Sequence, residues 1–153
     1  MGIFPFFKKK AFFSEPDQAR IVEAIRVAEK ETSGEIRIYV ESKNPFMDPL
    51  ERAAEIFLKL KMQDTTDRNA VLLYIAMKDH ELALYGDEGI HKKVGEEYWS
   101  KAVKNMITQF ANQNISIGIE QCILQIGQTL KETFPYDAST DKNELSDDMV
   151  FGK

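Results

Sequence analysis

The chain has 153 residues, of which 43% are hydrophobic and 29% charged, and its net charge is -5. This length is enough to bury a core without disulfides or a structural metal. The acidic balance gives no basis for nucleic-acid binding, and the single cysteine, Cys122, excludes both an intramolecular disulfide and a cysteine-pair metal site.

The sequence contains no apolar run that approaches the length of a membrane-spanning helix. The apolar residues at the N-terminus precede the lysines at 8–10, which is the reverse of a secretory signal. We therefore expect a soluble, cytoplasmic monomer. Residues 1–13 are predicted to be a leader and 14–135 the folded domain. Residues 136–153 are polar and acidic, so we expect a flexible tail there.

A helix and a strand open the predicted domain. Ser14 is a capping residue and Pro16 suits a first turn, so a helix is predicted over about residues 16–32. Residues 35–41 alternate, with isoleucine or valine at every even position. This pattern predicts a first strand that has one face less buried than the faces of the second strand.

The next predicted element is a second helix that starts at Asp48, with a proline directly after the cap. Its buried stripe is predicted to consist of Leu50, Ala53, Ala54, Phe57 and Leu60. A strand that follows this helix completes a strand-helix-strand unit, and such units are almost always parallel. The first strand and the following one should therefore begin at the same end of the sheet.

The central strand is predicted at residues 70–77, which form an unbroken apolar run. Lys78 and Asp79 form a weak turn, and residues 81–85 return as an antiparallel partner. The resulting register places Val71 opposite Gly86.

Two further helices are predicted in the second half of the chain. The third begins around residues 91–94, and the fourth begins at 115 or 116 and ends at Phe134. Cys122 lies in the apolar run of the fourth helix and is interpreted as a small buried hydrophobe. The fold class is therefore α/β, a three-layer αβα sandwich with a small mixed sheet, whose short fourth strand would come from the leader or a loop.

Acidic residues are predicted to converge at one end of this sheet. Glu35 opens the first strand, Asp67 precedes the central strand, and Asp87 and Glu88 follow the hairpin. Residues 63–66 add further oxygen ligands, so a divalent cation, calcium or magnesium, is predicted to bind there. The alternative is that these acids cap turns and the start of the following helix.

Four segments, in this order and spacing, resemble the TPM-domain family: Ser33-Gly34-Glu35-Ile36-Arg37-Ile38, Asp67-Arg68-Asn69-Ala70-Val71-Leu72-Leu73-Tyr74-Ile75, Tyr85-Gly86-Asp87-Glu88-Gly89-Ile90 and the closing helix around Gly118-Ile119. The family includes the thylakoid-lumen acid phosphatase associated with photosystem II repair and many uncharacterised bacterial proteins. The resemblance spans about residues 14–135. It implies a Rossmann-like αβα sandwich, acidic loops that bind a divalent cation, usually calcium, and acid phosphatase activity in some members.

One loop departs from the pattern of the family. Members commonly have a glycine after an Asp-Asn pair, whereas Arg68 is inserted before Asn69 in this chain and Ala70 stands where the glycine is expected. The resemblance favours calcium over magnesium as the ion.

Two functions remain open at this point. The first is a regulatory or interaction module in which a cation orders the loops for a protein partner, contacted through Tyr39 and Glu41 or through the acidic tail. The alternative is a metal-assisted acid phosphatase for phosphomonoesters, in which Arg68 clamps phosphate oxygens. The sequence contains no recognised phosphatase nucleophile motif, so no catalytic residue is assigned. His80 is interpreted as a turn residue, and His91 as an acid/base or a helix-start residue.

Overall fold

The computed structural model describes residues 12–112, 115–136 and 149–152. The predicted leader, apart from its last two residues, and most of the predicted acidic tail lie outside these ranges. The described elements, in chain order, are α1 Glu15–Glu29, β1 Glu35–Glu41, α2 Pro49–Lys59, β2 Ala70–Ala76, β3 Glu81–Gly86, α3 Glu88–Val94, α4 Glu96–Ala111, α5 Ile115–Thr133 and β4 Met149–Phe151.

The strands form one mixed sheet in the order β3-β2-β1-β4. β1 runs parallel to β2 and β4, whereas β2 and β3 form an antiparallel hairpin. Val71 pairs with Gly86 and Glu35 pairs with Ala70, so the hairpin register and the common starting end of β1 and β2 are as predicted.

Helices cover both faces of this sheet, which confirms the three-layer α/β architecture. Helices α1, α4 and α5 pack on one face around Ile25, Ile38 and Ile123, and α2 packs on the other around Phe57 and Tyr74. Every residue of β2 is buried, because this strand lies between two core layers. Cys122 is buried as predicted, and burial raises the pKa of its thiol to about 12.

The first two helices start where the sequence predicts. The Ser14 side chain accepts a hydrogen bond from the backbone N–H of Asp17, and the Asp48 side chain accepts one from that of Leu50. Helix α1 ends at Glu29, however, three residues before its predicted end. The chain then turns towards the end of α5, where the Thr32 hydroxyl donates to the Leu130 carbonyl.

The predicted buried stripe of α2 is wrong at its first position. Leu50 is 51% exposed, whereas Ile56 is fully buried beside Ala53 and Phe57. The first turn of α2 lies beside the edge of β3 and not over the sheet, so its leucine faces a surface cavity.

The predicted third helix is two helices. Asp87 caps α3 through a hydrogen bond from the backbone N–H of Glu88, so this helix starts earlier than expected. Gly95, with φ of +81°, then separates α3 from α4. This backbone conformation is accessible to glycine without steric cost, so the chain changes direction there.

The polar face of β1 is less buried than either face of β2, as predicted, because Tyr39 is half-buried whereas every residue of β2 is at most 1% exposed. Glu35, Arg37 and Glu41 are each at most 5% exposed. Glu41 accepts hydrogen bonds from Arg52 and Tyr74, which allow its carboxylate to be buried. Glu41 is therefore part of an internal network and is not available to contact a partner protein.

The fourth strand comes from the end of the chain and not from the leader or a loop. β4 pairs in parallel with residues 38–40 of β1, and the Phe151 ring stacks on Phe12 with a centroid separation of 6.0 Å. The three apolar residues of β4 therefore extend the sheet beyond β1, at the edge opposite β3.

Candidate functional site at one end of the sheet

The loop before β2 and the start of α3 lie side by side at the end of the sheet where β1 begins. Asp87 donates its backbone N–H to the Ala70 carbonyl at 2.9 Å, and Gly89 donates to the Arg68 carbonyl at 2.8 Å. These two bonds fasten residues 67–70 to residues 87–89.

Gly89 is required by this close backbone contact. A Cβ atom at this position would lie 2.1 Å from the Asp67 carbonyl oxygen and 2.6 Å from that of Arg68. Arg68 itself has φ of +51°, in the left-handed region that residues other than glycine seldom adopt. The turn at 67–69 is therefore held in an unusual conformation by its contact with α3.

Arg68 and Asp87 form a two-bond ion pair. The guanidinium donates to both carboxylate oxygens, at 2.6 and 2.8 Å, and lies 3.7 Å from the exposed carboxylate of Glu88. The hydrogen bond to Asp87 raises the pKa of Arg68. Because Asp87 also caps α3, both of its oxygens are already occupied by donors within the protein.

A second group of oxygen atoms lies around Asp67. The Asn69 amide donates to the Ser33 hydroxyl at 3.1 Å, and this hydroxyl lies 3.5 Å from an Asp67 carboxylate oxygen. Asp67 is exposed, whereas Asn69 is 1% exposed. The carboxylate therefore faces solvent, whereas Ser33 is half-buried and Asn69 is buried.

Several buried oxygens of this loop lack hydrogen-bond partners. Among the described residues, four buried side-chain atoms have none, and three of them belong to Gln63, Thr65 and Asn69. The fourth is the Asn44 side-chain oxygen at the other end of the sheet. A buried oxygen without a donor is costly, and three of the four such atoms lie in the loop before β2.

The four predicted acids are not gathered into one ligand set. Asp87 and Glu88 lie on either side of Arg68, Asp67 lies beside Ser33, and Glu35 is buried and engaged elsewhere. Across the three described stretches, no three histidine, cysteine or acidic side chains lie close enough to hold a metal ion. A cation at this end would have to use other oxygens as well.

Sequence reasoning missed the pairing of Arg68 with Asp87 and did not name Asn69 as an oxygen donor. Thr65 lies in the segment 63–66 that was expected to add oxygen ligands, and its buried hydroxyl has no partner. The insertion of Arg68 between Asp67 and Asn69 was the available signal for the pairing, because it places a positively charged side chain among carboxylates. Asn69 gave no signal of its own, since asparagine is common in turns for structural reasons.

A surface cavity of about 550 Å³ adjoins the ion pair and is lined by Arg68, Tyr85, Glu88 and His91 among others. His91 accepts a hydrogen bond at Nδ1 from the Trp99 indole at 3.1 Å. This residue lies in the last turn of α3, which corrects its predicted place at a helix start. His80 is at the far end of the sheet in the hairpin turn, as predicted.

None of the helices within the described ranges has the length and apolar character required to span a membrane.

Comparison with known proteins gives one family and several similar structures. The sequence model of the TPM domain matches residues 7–129. The NMR structure of the BA42 protein from the psychrophilic bacterium Bizionia argentinensis is 35% identical, with a TM-score of 0.83 over 92% of this chain and 96% of that one. No curated protein gives a significant match.

Two more distant NMR structures share the fold. The N-terminal domain of a protein from P. gingivalis is 12% identical, with a TM-score of 0.66 over 80% of this chain and 79% of that one. The N-terminal domain of the cg2496 protein from Corynebacterium glutamicum is 11% identical, with a TM-score of 0.61 over 88% and 80% of the two chains. At these identities the likeness concerns the fold alone.

Proposed function

Since the chain belongs to the TPM-domain family, we propose that it is a binding module controlled by a divalent cation, calcium in preference to magnesium. The cation would bind at the end of the sheet where β1 and β2 begin. The observation that carries the proposal is that three of the four partnerless buried oxygens belong to residues 63–69, the loop that also carries the exposed Asp67.

The donor set of this loop suits calcium. Asp67 supplies a charged oxygen that faces solvent, and Thr65 and Asn69 supply neutral oxygens that have no other partner. Calcium accepts about six to eight oxygens from carboxylates, amides, hydroxyls, carbonyls and water in a flexible geometry. Magnesium demands a near-ideal octahedron and keeps most of its water, so a loop of mixed neutral oxygens favours calcium.

The other predicted ligands have supporting parts in this proposal. Glu35 pairs through its backbone with Ala70, directly after the loop, and brings a buried carboxyl group to the same end. Asp87 and Glu88 hold Arg68 and thereby fix the turn that carries Asp67. A cation that ordered this loop would stabilise the surface around α3 for a protein partner.

The alternative, a metal-assisted acid phosphatase, has less support. Arg68, the residue expected to clamp phosphate, already donates to both oxygens of a carboxylate that is 3% exposed. To bind a phosphate it would have to leave Asp87 buried without its cation, which is costly. We therefore expect no hydrolysis of p-nitrophenyl phosphate above background with calcium or magnesium present.

The proposal is tested by titrating calcium chloride, and separately magnesium chloride, into the full chain while its amide NMR spectrum is recorded. We expect saturable shifts centred on residues 63–69, at lower concentrations of calcium than of magnesium. Asp67→Asn should abolish them. Asp87→Asn should retain calcium binding, because its carboxylate is committed to Arg68 and the helix cap.

Glu97→Gln is the matched control, because Glu97 is an acid on the exposed face of α4 whose side chain is 84% exposed. It should leave the titration unchanged. The proposal fails if calcium moves no signals at millimolar concentration, or if it moves them equally in Asp67→Asn. If Asp87→Asn alone removed binding, the ion would lie at Asp87 and not in the loop.

A further inference from the structure

One aromatic side chain projects from the loop between β1 and α2. Phe46 is 104% exposed, more than any other large hydrophobic residue in the part of the chain that the structure describes. Its backbone has φ of +73°, in the left-handed region that a bulky residue seldom adopts. An exposed phenylalanine on a strained backbone is unfavourable for the free chain, so Phe46 is a candidate contact for another surface.

The loop that carries Phe46 is anchored to the β2–β3 hairpin. Asn44 donates its backbone N–H to the Asp79 carboxylate at 2.8 Å and its side-chain amide to a Glu81 carboxylate oxygen at 2.9 Å. The same amide donates to the Met47 carbonyl, on the other side of Phe46. Because the turn is already fixed by these bonds, Phe46 would lose less conformational entropy on binding than a residue of a free loop.

A surface cavity of about 440 Å³ lies next to this loop, since Asp48, two residues after Phe46, is part of its lining. Its apolar lining comes from Leu50, Leu82, Leu84, Trp99, Val103 and Ile107. Leu50 is 51% exposed and Ile107 49%, so apolar side chains reach solvent there. The volume is in the range of cavities that hold organic ligands, so it is large enough for an aromatic ring.

The charges of the cavity favour a second copy of this chain over a strongly acidic or basic partner. One acid and one base, Asp48 and Lys104, belong to the lining. In a two-fold arrangement each surface meets its own copy, so Asp48 of one chain can face Lys104 of the other. Phe46 and the cavity are also neighbours on one surface, which a two-fold pair requires if both phenylalanines are to insert at once.

We infer that two copies of this chain associate about a two-fold axis, with Phe46 of each chain inserted into the cavity of the other. Each copy thus completes the apolar surface of its partner, in place of the monomer expected from the sequence. Because the contact comprises one loop and one cavity on each chain, the dimer is weak and reversible. It does not depend on the cation proposed above, so every measurement is made in EDTA.

Sedimentation equilibrium gives the first test. The weight-average mass should rise from 17.6 kDa towards twice that value between about 10 µM and 1 mM chain. Phe46→Asn should raise the dissociation constant at least about thirtyfold. Asparagine tolerates a left-handed backbone better than phenylalanine does, so urea denaturation should show no loss of unfolding free energy. Leu58→Ser is the control, because Leu58 is 59% exposed on α2 but does not line the cavity, and it should change the constant less than about twofold.

The cavity provides a second pair of variants. Ile107→Asp places a charge in the apolar lining, whereas Ile117→Asp places one on α5, at an isoleucine that does not line the cavity. The two isoleucines are similarly exposed, at 49% and 40%. Ile107→Asp should raise the dissociation constant roughly tenfold or more, and Ile117→Asp less than about twofold. Equal effects of the two variants would rule out the cavity as the contact.

The reciprocal insertion is tested directly in a mixture of isotope-labelled and unlabelled chains at about 1 mM. Isotope-filtered NMR should show NOEs from the Phe46 ring protons of one chain to the methyl groups of Val103 and Ile107 of the other. NOEs confined to one chain would show that Phe46 occupies its own cavity, which overturns the inference. A mass that stays at 17.6 kDa up to about 1 mM, or an association that Phe46→Asn leaves unchanged, would also overturn it.

Discussion

An arginine–carboxylate pair lies at each end of the sheet, and the two pairs differ in how far their side chains are exposed to solvent. We call the end with the buried pair the closed end and the other the open end. Arg52 donates to both oxygens of Glu41 at 2.8 Å, and Tyr74 donates to the same carboxylate. The Arg52 side chain is 16% exposed and that of Glu41 6%. At the other end, Arg68 also donates twice to its partner, but 40% of its side chain is exposed.

This difference separates a structural network from a candidate binding site. Both Glu41 oxygens accept donors from within the protein, so a ligand would have to break existing bonds to bind there. Beside Arg68, by contrast, Asp67 faces solvent and the side-chain oxygens of Thr65 and Asn69 have no partners. The same pairing chemistry thus leaves one end closed and the other with an exposed carboxylate, which is where we propose that the ion binds.

The largest predicted effect on stability comes from breaking the Arg52–Glu41 pair at the closed end. Arg52→Met removes the donor but leaves Glu41 buried, so the free energy of unfolding should fall by about 3–5 kcal/mol. Urea denaturation followed by circular dichroism at pH 7 measures this change. Glu55→Gln is the control, because Glu55 pairs with the same arginine but its side chain is 53% exposed, and it should cost less than about 1 kcal/mol. Equal losses of unfolding free energy in the two variants would mean that the buried carboxylate of Glu41 does not depend on Arg52.

The next effect concerns the backbone contact that shapes the open end. Gly89→Ala forces a methyl group against the Asp67 and Arg68 carbonyls, so we expect a loss of about 1–3 kcal/mol and amide shifts at residues 67–69. Gly95→Ala is the comparison, since a Cβ there meets no atom within 4 Å and only the positive φ is strained. It should cost about 1 kcal/mol and leave residues 67–69 unchanged. The opposite ranking would show that α3 does not hold the turn.

The sequence predicts the fold well where a local pattern and the topology agree. The bounds of β1 and the register of the hairpin follow from alternating and continuous apolar runs, which fix which residues face the core. β4 has only three residues and shows no periodicity, so its pairing with β1 depends on a contact that no local pattern records. The break at Gly95 was missed because the apolar spacing continues across it.

The location of the candidate site is predictable from the sequence, but the contacts between its side chains are not. The parallel unit and the hairpin bring Glu35, Asp67 and Asp87 to one end of the sheet, as the topology requires. Whether an acid there is free depends on side-chain partners from distant positions. Arg68 reaches Asp87 only because its turn is held by the backbone of Gly89, a contact between residues about twenty positions apart.

A third prediction tests the closed end through alkaline pH. Burial, together with the hydrogen bond to Glu41, raises the pKa of Tyr74 above its ordinary value near 10. The unfolded chain therefore loses this proton first, so the stabilisation is complete below pH 10 and is lost as pH rises above it. The unfolding free energy should fall by about 1.4 kcal/mol per pH unit for this group.

Tyr74→Phe isolates this contribution from those of the other buried tyrosines. Urea denaturation of both proteins between pH 9 and 12 should give a shallower decline for the variant, by about one proton. Tyr136→Phe is a suitable control, because Tyr136 is 52% exposed and lies far from the buried Glu41 network in the sequence, and its decline should match that of the wild type. Parallel declines in the wild type and Tyr74→Phe would show that Tyr74 ionises at its ordinary pKa.

The smallest effect on stability should come from Asp67, the residue that we propose binds the cation. Asp67 is exposed and its carboxylate lies 3.5 Å from the Ser33 hydroxyl, so Asp67→Asn should change the unfolding free energy by less than about 0.5 kcal/mol in EDTA. With calcium at about a hundred times its dissociation constant, the wild type should gain about 2.7 kcal/mol and the variant nothing. A thermal melt with and without calcium measures both quantities. A large loss of unfolding free energy in EDTA would make Asp67 a structural residue like Glu41. Equal stabilisation of the two proteins by calcium would place the ion elsewhere. The contrast between the two ends of the sheet therefore depends on this pair of melts.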